Sequence, residues 1–366
     1  MKIWHVCDTS GPDEVNGVST TLWAIAPAQA ALGHRVQIVS RDPLNAVGQA
    51  ALEQAGLEHR FLPRKNLGWD TTTLAGLLDR FEPDVVHMHS IFIPQQYQLA
   101  RMLRDRGIPF VTTPHGQLSA QSLRRGRFKK WPYTRFIEKP RFYMAAAITA
   151  LTPGEAADIK AFVPGFKGTV QVIPNPAPPI KEVVWQGGES KTLVYLGRFD
   201  VMQKGIDYLI ALANELPEYR VMLYGSEDPK TLRWLNRLKK TASTNVHFEA
   251  PVFGELKLEV LSQAQAYIQL SRWEGFGMSV LEAMSVGTPC LLNTGLQMTQ
   301  TLQEAGLALP LSGNPAQMAQ QVRNYLSDPA ALARWSKRAR DYCRTELSPV
   351  HIATQYIELY QRVVVR

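Results

Sequence analysis

Two carboxylates eight residues apart, Glu274 and Glu282, bracket a glycine turn and a helical run in the stretch RWEGFGMSVLEAM, Arg272 to Met284. An ionised carboxylate only accepts hydrogen bonds, so it fixes hydroxyls or cations. A rigid element can hold it in one geometry. Gly275 and Gly277 let backbone come close to a ligand, and the amides of Gly277, Met278 and Ser279 would point at an anion from a helix start. The spacing suits one extended ligand that is polar at both ends and anionic between them. Standing alone, it equally suits a surface carboxylate pair on an ordinary helix.

Cations that could meet such an anion occur in LGRFDVMQKGID, where Arg198 follows a strand and Lys204 precedes Gly205. His115 ends the strand FVTTPH and is followed by Gly116, which leaves room for a ligand. His87 and His89, in DVVHMHS, fall on one face of a strand end; His89 is a candidate ligand contact and His87 a structural residue. No Asp-x-Asp pair is present to hold a metal, and no Ser, His and Asp arrangement suggests acyl transfer. Cys7, Cys290 and Cys343 are too few and too scattered for a disulfide framework or a zinc site. A reducing cytoplasm is the expected compartment.

Short β-branched runs alternate with helical patterns in each half of the chain. KIWHVCD, RVQIVS, DVVHMHS and FVTTPH come first; TLVYLGR, RVMLYGS, VHFEAP, AYIQLS and PCLLNT follow. This alternation predicts parallel sheets with helices on both faces, and 366 residues are too many for one ordinary core. The expected fold class is therefore α/β, with two Rossmann-like doubly wound domains facing across a central cleft. The proline-rich segment from Pro174 to Pro179 marks the join. The expected boundaries are an N-terminal Rossmann-like domain at 1–175, a linker at 176–191, a C-terminal Rossmann-like domain at 192–347 and a C-terminal helix at 348–366 that packs back on the first domain. The Gly-x-Gly-x-x-Gly and Walker A patterns are missing after the first strand, so the fold need not imply NAD or P-loop chemistry.

In this order the motifs resemble those of the retaining glycosyltransferases of family 4, which have the GT-B fold, over nearly the whole chain. The opening stretch resembles the family's Glu-x7-Glu motif, LGRFDVMQKGID its diphosphate-binding segment, TPHG its histidine turn, NGVSTT its glycine loop at Gly17 and VIPN its linker entry. The resemblance implies a donor bound as a nucleoside diphosphate sugar, with no cofactor and no metal. Glu282 would hold the ribose and Glu274 the transferred sugar. Arg198 and Lys204 would neutralise the leaving diphosphate, and His115 would contact the donor sugar. A dedicated general base is not visible, and in retaining members the departing phosphate is commonly proposed to take the acceptor proton. The linker reads IPNPAPP rather than IPNGVD, and NTGLQMTQTLQE departs from the usual Gly-Gly loop, which leaves Gly295 and Thr294 without an assured role. A sugar-nucleotide 2-epimerase of the same fold and a non-enzymatic nucleic-acid binder are the alternatives.

Charge points to a surface. From Gln117 to Arg141 the cations Arg124, Arg125, Arg127, Lys129, Lys130, Arg135, Lys139 and Arg141 face Glu138 alone, with Phe128, Trp131, Tyr133 and Phe136 interleaved. This composition suits an anionic membrane surface, although a solvated face explains it too. Within the resemblance it is nearest to members that assemble polysaccharides or glycolipids. The expected partners are thus a glycan or lipid-linked acceptor and the inner face of the plasma membrane, with no nucleic acid. YMAAAITAL, from Tyr143 to Leu151, is too short to span a bilayer.

Overall fold

The computed structural model describes residues 1–8, 11, 16–62, 69–124, 127–187 and 190–365, with the backbone alone at 127–129. The chain divides into two compact units, Met1–Pro176 with Pro349–Arg366, and Ala177–Ser348.

Unit 1 carries β1 (Lys2–Cys7), β2 (Arg35–Ser40), β3 (Glu58–Phe61), β4 (Val85–His89), β5 (Phe110–Thr113), β6 (Ala147–Ala150) and β7 (Thr169–Val172). They form one sheet in the order β3-β2-β1-β4-β5-β6-β7, parallel throughout. Helices cover both faces of such a sheet, so its central strands lose the polar alternation of a half-exposed strand. All five residues of β4 are buried. Trp4, Phe110 and Phe142 are fully buried in the core, and each such side chain contributes about 1.5–3 kcal/mol relative to exposure. The C-terminal helix Pro349–Val364 belongs to this unit and packs on the helix Gly17–Ala31.

Unit 2 carries β8 (Thr192–Leu196), β9 (Arg220–Tyr224), β10 (Val246–Glu249), β11 (Ala266–Gln269), β12 (Cys290–Asn293) and β13 (Leu309–Leu311). Their order is β10-β9-β8-β11-β12-β13, again all parallel. The segment after the prolines is tied down. Trp185 is buried, its amide donates to Val286 O and its indole to Ala264 O.

Strand order reverses between β1 and β4 in one unit and between β8 and β11 in the other. At such a point the connections leave in opposite directions and open a crevice at the carboxyl ends of the strands, where doubly wound sheets bind ligands. The fold is α/β with two Rossmann-like parallel-sheet units, the GT-B class expected. Among the described residues, no helix is long and apolar enough to cross a membrane.

Candidate active site

In unit 2 the loops after β8 and β11 bring Lys204 and Glu274 together. Their side chains form an ion pair, Nζ to Oε1, at 2.5 Å, and each is only about 15% exposed. Asp200 caps the short helix Val201–Lys204 by accepting from the Gln203 amide at 2.9 Å. The helix ends at Gly205 with φ +64°, where a Cβ would lie 2.1 Å from Leu270 O. Only glycine fits there, so the close approach of backbone fixes where Lys204 points. The other carboxylate oxygen of Glu274 accepts from Ser271 Oγ at 3.0 Å and from the Gln269 amide. Glu274 is thus held by a cation, a hydroxyl and an amide.

The turn that carries it is pinned on both sides. Glu274 N donates to Gly295 O, and Gln297 N donates to Glu274 O. At Gly295 a Cβ would lie 1.8 Å from Ser271 O, so this glycine serves the packing of two backbones. Arg272 ties the turn to the Lys204 loop. Its guanidinium grips Asp207 with both arms at 2.8 and 2.5 Å, donates to Val201 O at 2.9 Å and lies 4.0 Å from the Tyr208 ring centre. Planarity and five donors make arginine suited to this brace. Arg272→Ala should lower the stability of unit 2 by about 2 kcal/mol, since it removes a charged, half-buried hydrogen-bonding pair. The same variant should raise KM more than it lowers kcat; urea unfolding and steady-state kinetics check both.

Arg198 follows β8, half exposed, and reaches the buried Asp228 at 3.6 Å. Fully buried Tyr195 feels both Glu274 and Arg198 and donates to Arg198 O at 3.0 Å. Burial, with Glu274 adding to it, pushes its phenol well above the ordinary range. Glu282 lies in the helix Met278–Val286 and pairs with Lys257 at 2.8 Å.

At the start of that helix the structure corrects one expectation. Gly277 N is buried and donates to Met298 Sδ at 3.2 Å, so its amide does not face a ligand. Met278 and Ser279 open the same helix, Met278–Val286.

In unit 1, His115 and Gly116 form a turn after β5 with φ +53° and +75°. A left-handed conformation is uncommon for residues other than glycine, though histidine tolerates it better than most, and Glu155 clamps the turn. Its carboxylate accepts from Gly116 N at 2.5 Å and from Leu151 N at 2.7 Å. Burial raises Glu155 to about 7, against the two backbone hydrogen bonds. Burial lowers His115 to about 4, so it is neutral at pH 7 and offers a hydrogen bond rather than a charge.

His89 is also corrected. It is fully buried, with Nδ1 3.0 Å from His115 Nε2 and Nε2 3.0 Å from His5 Nδ1, so it meets a ligand only through His115. His87 is buried between Tyr360 and Thr113, at 2.6 and 2.7 Å. Nitrogens of His5, His87 and His89 lie within 4.8 Å of one another, a spacing that could hold a metal. Each of their ring nitrogens already has a hydrogen-bond partner. Gly17 is exposed in the first turn of its helix, which Asn16 caps by accepting from Ser19 N at 2.8 Å. Residues 9–10 and 12–15 of the glycine loop lie outside the described residues.

The basic segment is not one exposed face. Arg141 is fully buried in an ion pair with Glu138 at 2.8 Å and donates to Thr112 Oγ1 at 2.9 Å. Lys130 and Lys139 lie over the rings of Phe92 and Phe162. Arg124 and Arg135 are exposed with Trp131 and Phe136. Arg125 and the side chains of Arg127, Phe128 and Lys129 lie outside the described residues.

Reasoning from sequence missed Gln269, Ser271, Arg272, Asp207, Asp228, Lys257 and Glu155. Arg272 stood inside the quoted motif, but nothing in the spacing joined it to Asp207.

Two family models match adjoining stretches of the chain. Glycosyltransferase Family 4 covers residues 15–179, and Glycosyl transferases group 1 covers residues 180–342. Among relatives, alpha-maltose-1-phosphate synthase of Mycolicibacterium smegmatis is 24% identical, over 76% of this chain and 79% of its own. GDP-mannose:cellobiosyl-diphosphopolyprenol alpha-mannosyltransferase of Xanthomonas oryzae pv. oryzae is 25% identical, over 84% and 82%. Among solved structures, sucrose-phosphate synthase from Thermosynechococcus elongatus superposes with a TM-score of 0.79 at 18% identity, over 100% of this chain and 99% of that one. That likeness speaks to fold alone. With both family models in sequence order over two parallel-sheet units, this chain belongs to the family 4, group 1 glycosyltransferases.

Proposed function

We propose that this glycosyltransferase is retaining and metal-independent, and that it moves a hexose from a UDP- or GDP-sugar to a hydroxyl of a glycan or lipid-linked acceptor. The observation that carries the reading is the Lys204–Glu274 pair at the strand-order reversal of unit 2. A departing nucleoside diphosphate needs fixed positive charge, and a low-dielectric setting makes that charge effective. The Lys204 ammonium has three donors, so it can hold Glu274 and a diphosphate oxygen together. Arg198 supplies a second cation, and the Met278 and Ser279 amides add a helix N-terminus. Glu274 then accepts from hydroxyls of the transferred sugar and responds to positive charge growing at its anomeric carbon. Glu282 accepts from the ribose, and neutral His115 meets a sugar hydroxyl. The departing phosphate takes the acceptor proton on the same face, so the sugar keeps its anomeric configuration.

A melting screen with UDP-, GDP- and ADP-sugars tests donor binding, because a ligand that binds only the folded state raises the melting temperature. At least one should do so. Glu282→Ala should weaken the free nucleoside diphosphate, whereas Glu274→Ala should spare it and lower kcat. Equal weakening in both variants would overturn the division of roles. Activity that vanishes in EDTA and returns with Mn²⁺ would sink the metal-free mechanism.

A lipid-linked acceptor is favoured by Trp131 and Phe136, 63% and 62% exposed and packed edge to face, with Arg135 over Phe136. The Xanthomonas relative is itself named for a diphosphopolyprenol acceptor. Exposed aromatics beside cations suit shallow insertion at an anionic surface, where each cation contributes about 1 kcal/mol. Arg124→Glu/Trp131→Ser/Arg135→Glu/Phe136→Ser should lose cosedimentation with phosphatidylglycerol vesicles and keep nucleotide affinity. Unchanged binding by this variant would point to a soluble acceptor.

A further inference from the structure

Four side chains run in single file from the core of unit 1 to the carboxyl edge of its sheet. Gln29 Oε1 lies 2.7 Å from His5 Nε2, His5 Nδ1 lies 3.0 Å from His89 Nε2, and His89 Nδ1 lies 3.0 Å from His115 Nε2. Gln29, His5 and His89 are fully buried. His115 is partly exposed, and its Nδ1 has no partner among the described residues.

Burial keeps all three rings neutral, with His5 and His115 lowered to about 4 and His89 lowered well below its ordinary value. A neutral imidazole has one proton, so one nitrogen donates and the other accepts. An amide oxygen only accepts. His5 therefore donates from Nε2 to Gln29 and leaves its Nδ1 bare. His89 must fill that acceptor from its own Nε2, and His115 must do the same for His89. Each link hands its direction to the next, so the file runs one way or wholly the other. With the amide turned round, the same three rings would end in an N–H at the rim.

We propose that Gln29, acting through His5 and His89, fixes the tautomer of His115 and presents an unprotonated Nδ1 to a hydroxyl of the substrate sugar. The proposal rests on the reading of His115 as a sugar contact. A bare nitrogen accepts from a hydroxyl and repels groups that only accept, such as phosphate oxygens or fluorine. Gln29, His5 and His89 are positioning residues: they choose the polarity of the group that touches the sugar without touching it themselves. The competing use of the cluster, a metal held by His5, His87 and His89, would have to break the hydrogen bonds their nitrogens already make.

Nitrogen NMR of the full chain labelled at histidine, without any substrate, reads the tautomer directly. His115→Gln identifies the His115 signals by their loss. In the wild-type protein His115 should show a protonated Nε2 and an unprotonated Nδ1. Gln29→Leu removes the terminal acceptor and should give a mixture of both tautomers, while Gln29→Glu keeps an oxygen opposite His5 and should restore the single form. A wild-type His115 protonated on Nδ1, or an unchanged tautomer in Gln29→Leu, would overturn the proposal. If Gln29→Leu does not fold, the wild-type tautomer and its retention in Gln29→Glu still decide. Stoichiometric uptake of added zinc with loss of the His5 and His89 signals would overturn it as well. Failure of the sugar contact is read separately: undiminished turnover by His115→Ala would sink that contact whatever the tautomer.

Discussion

Lys204→Ala is expected to lower kcat by about 10²-fold or more, the effect of removing a fixed charge that stabilises a transition state. Two losses combine. On the proposed mechanism the cation that neutralises the leaving diphosphate disappears, and Glu274 keeps only Ser271 and Gln269 as donors. A half-buried carboxylate without its cation then faces the anion it was meant to release. Gly205 and Leu270 O fix the turn that aims the lysine. Because Lys204 and Glu274 act as a unit, the double variant Lys204→Ala/Glu274→Ala should lose less than the product of the single losses. Single-turnover kinetics with the donor found in the melting screen measures all three. A kcat for Lys204→Ala within threefold of wild type would remove Lys204 from the chemistry.

Sequence carried much of this because the chemistry sits where strands end. The nine runs assigned as strands all contain one, since buried parallel strands are nearly continuous apolar runs. β3, β6, β7 and β13 were not read. β3 and β7 lie at the two edges of their sheet and spell EHRF and TVQV, half-exposed and polar. β6 is AITA, too short and small to separate from the helix before it. Glu274 and Lys204 were legible because a motif fixes their local turns. Their pairing across 70 residues was not, nor was Arg272 with Asp207 across 65, because spacing along a chain says nothing about distance across it. Composition misled at Arg141, where counting cations could not show that this one is buried against Glu138. His89 went wrong for a related reason. A strand pattern gives the face a side chain takes, but not whether another histidine already occupies the space beyond it.

The buried histidines should make unit 1 acid-labile, and the sign follows from their direction. His5 and His115 fall from 6.5 to about 4, and His87 and His89 fall well below 6.5, burial being the largest cause in each. A base whose folded value is depressed stabilises the fold fully above 6.5, and that stability is lost as pH falls from 6.5 toward the folded value. By pH 5 the unfolded chain binds a proton at nearly every one of these sites, whereas native His5 and His115 bind almost none, which costs about 2 kcal/mol for each of these two; His87 and His89 act in the same direction. His59, lowered to about 4, acts in the same sense. Glu155 opposes them. Its folded value is raised to about 7, so the stability it contributes is fully present below 4.5 and is lost as pH rises through 7; between pH 7 and pH 5 it returns about 2 kcal/mol. The net loss, about 2 kcal/mol from His5, His115 and Glu155 alone, grows further through His59, His87 and His89 and is a large share of the stability of an ordinary domain. Unit 2 has only His247, so it should hold its structure where unit 1 does not. Calorimetry at pH 7.5, 6 and 5 should therefore show one transition moving steeply downward and another nearly still. Two transitions that move together, or neither moving by pH 5, would mean that water reaches these imidazoles, and a file of hydrogen bonds open to water could not hold His115 in a single tautomer.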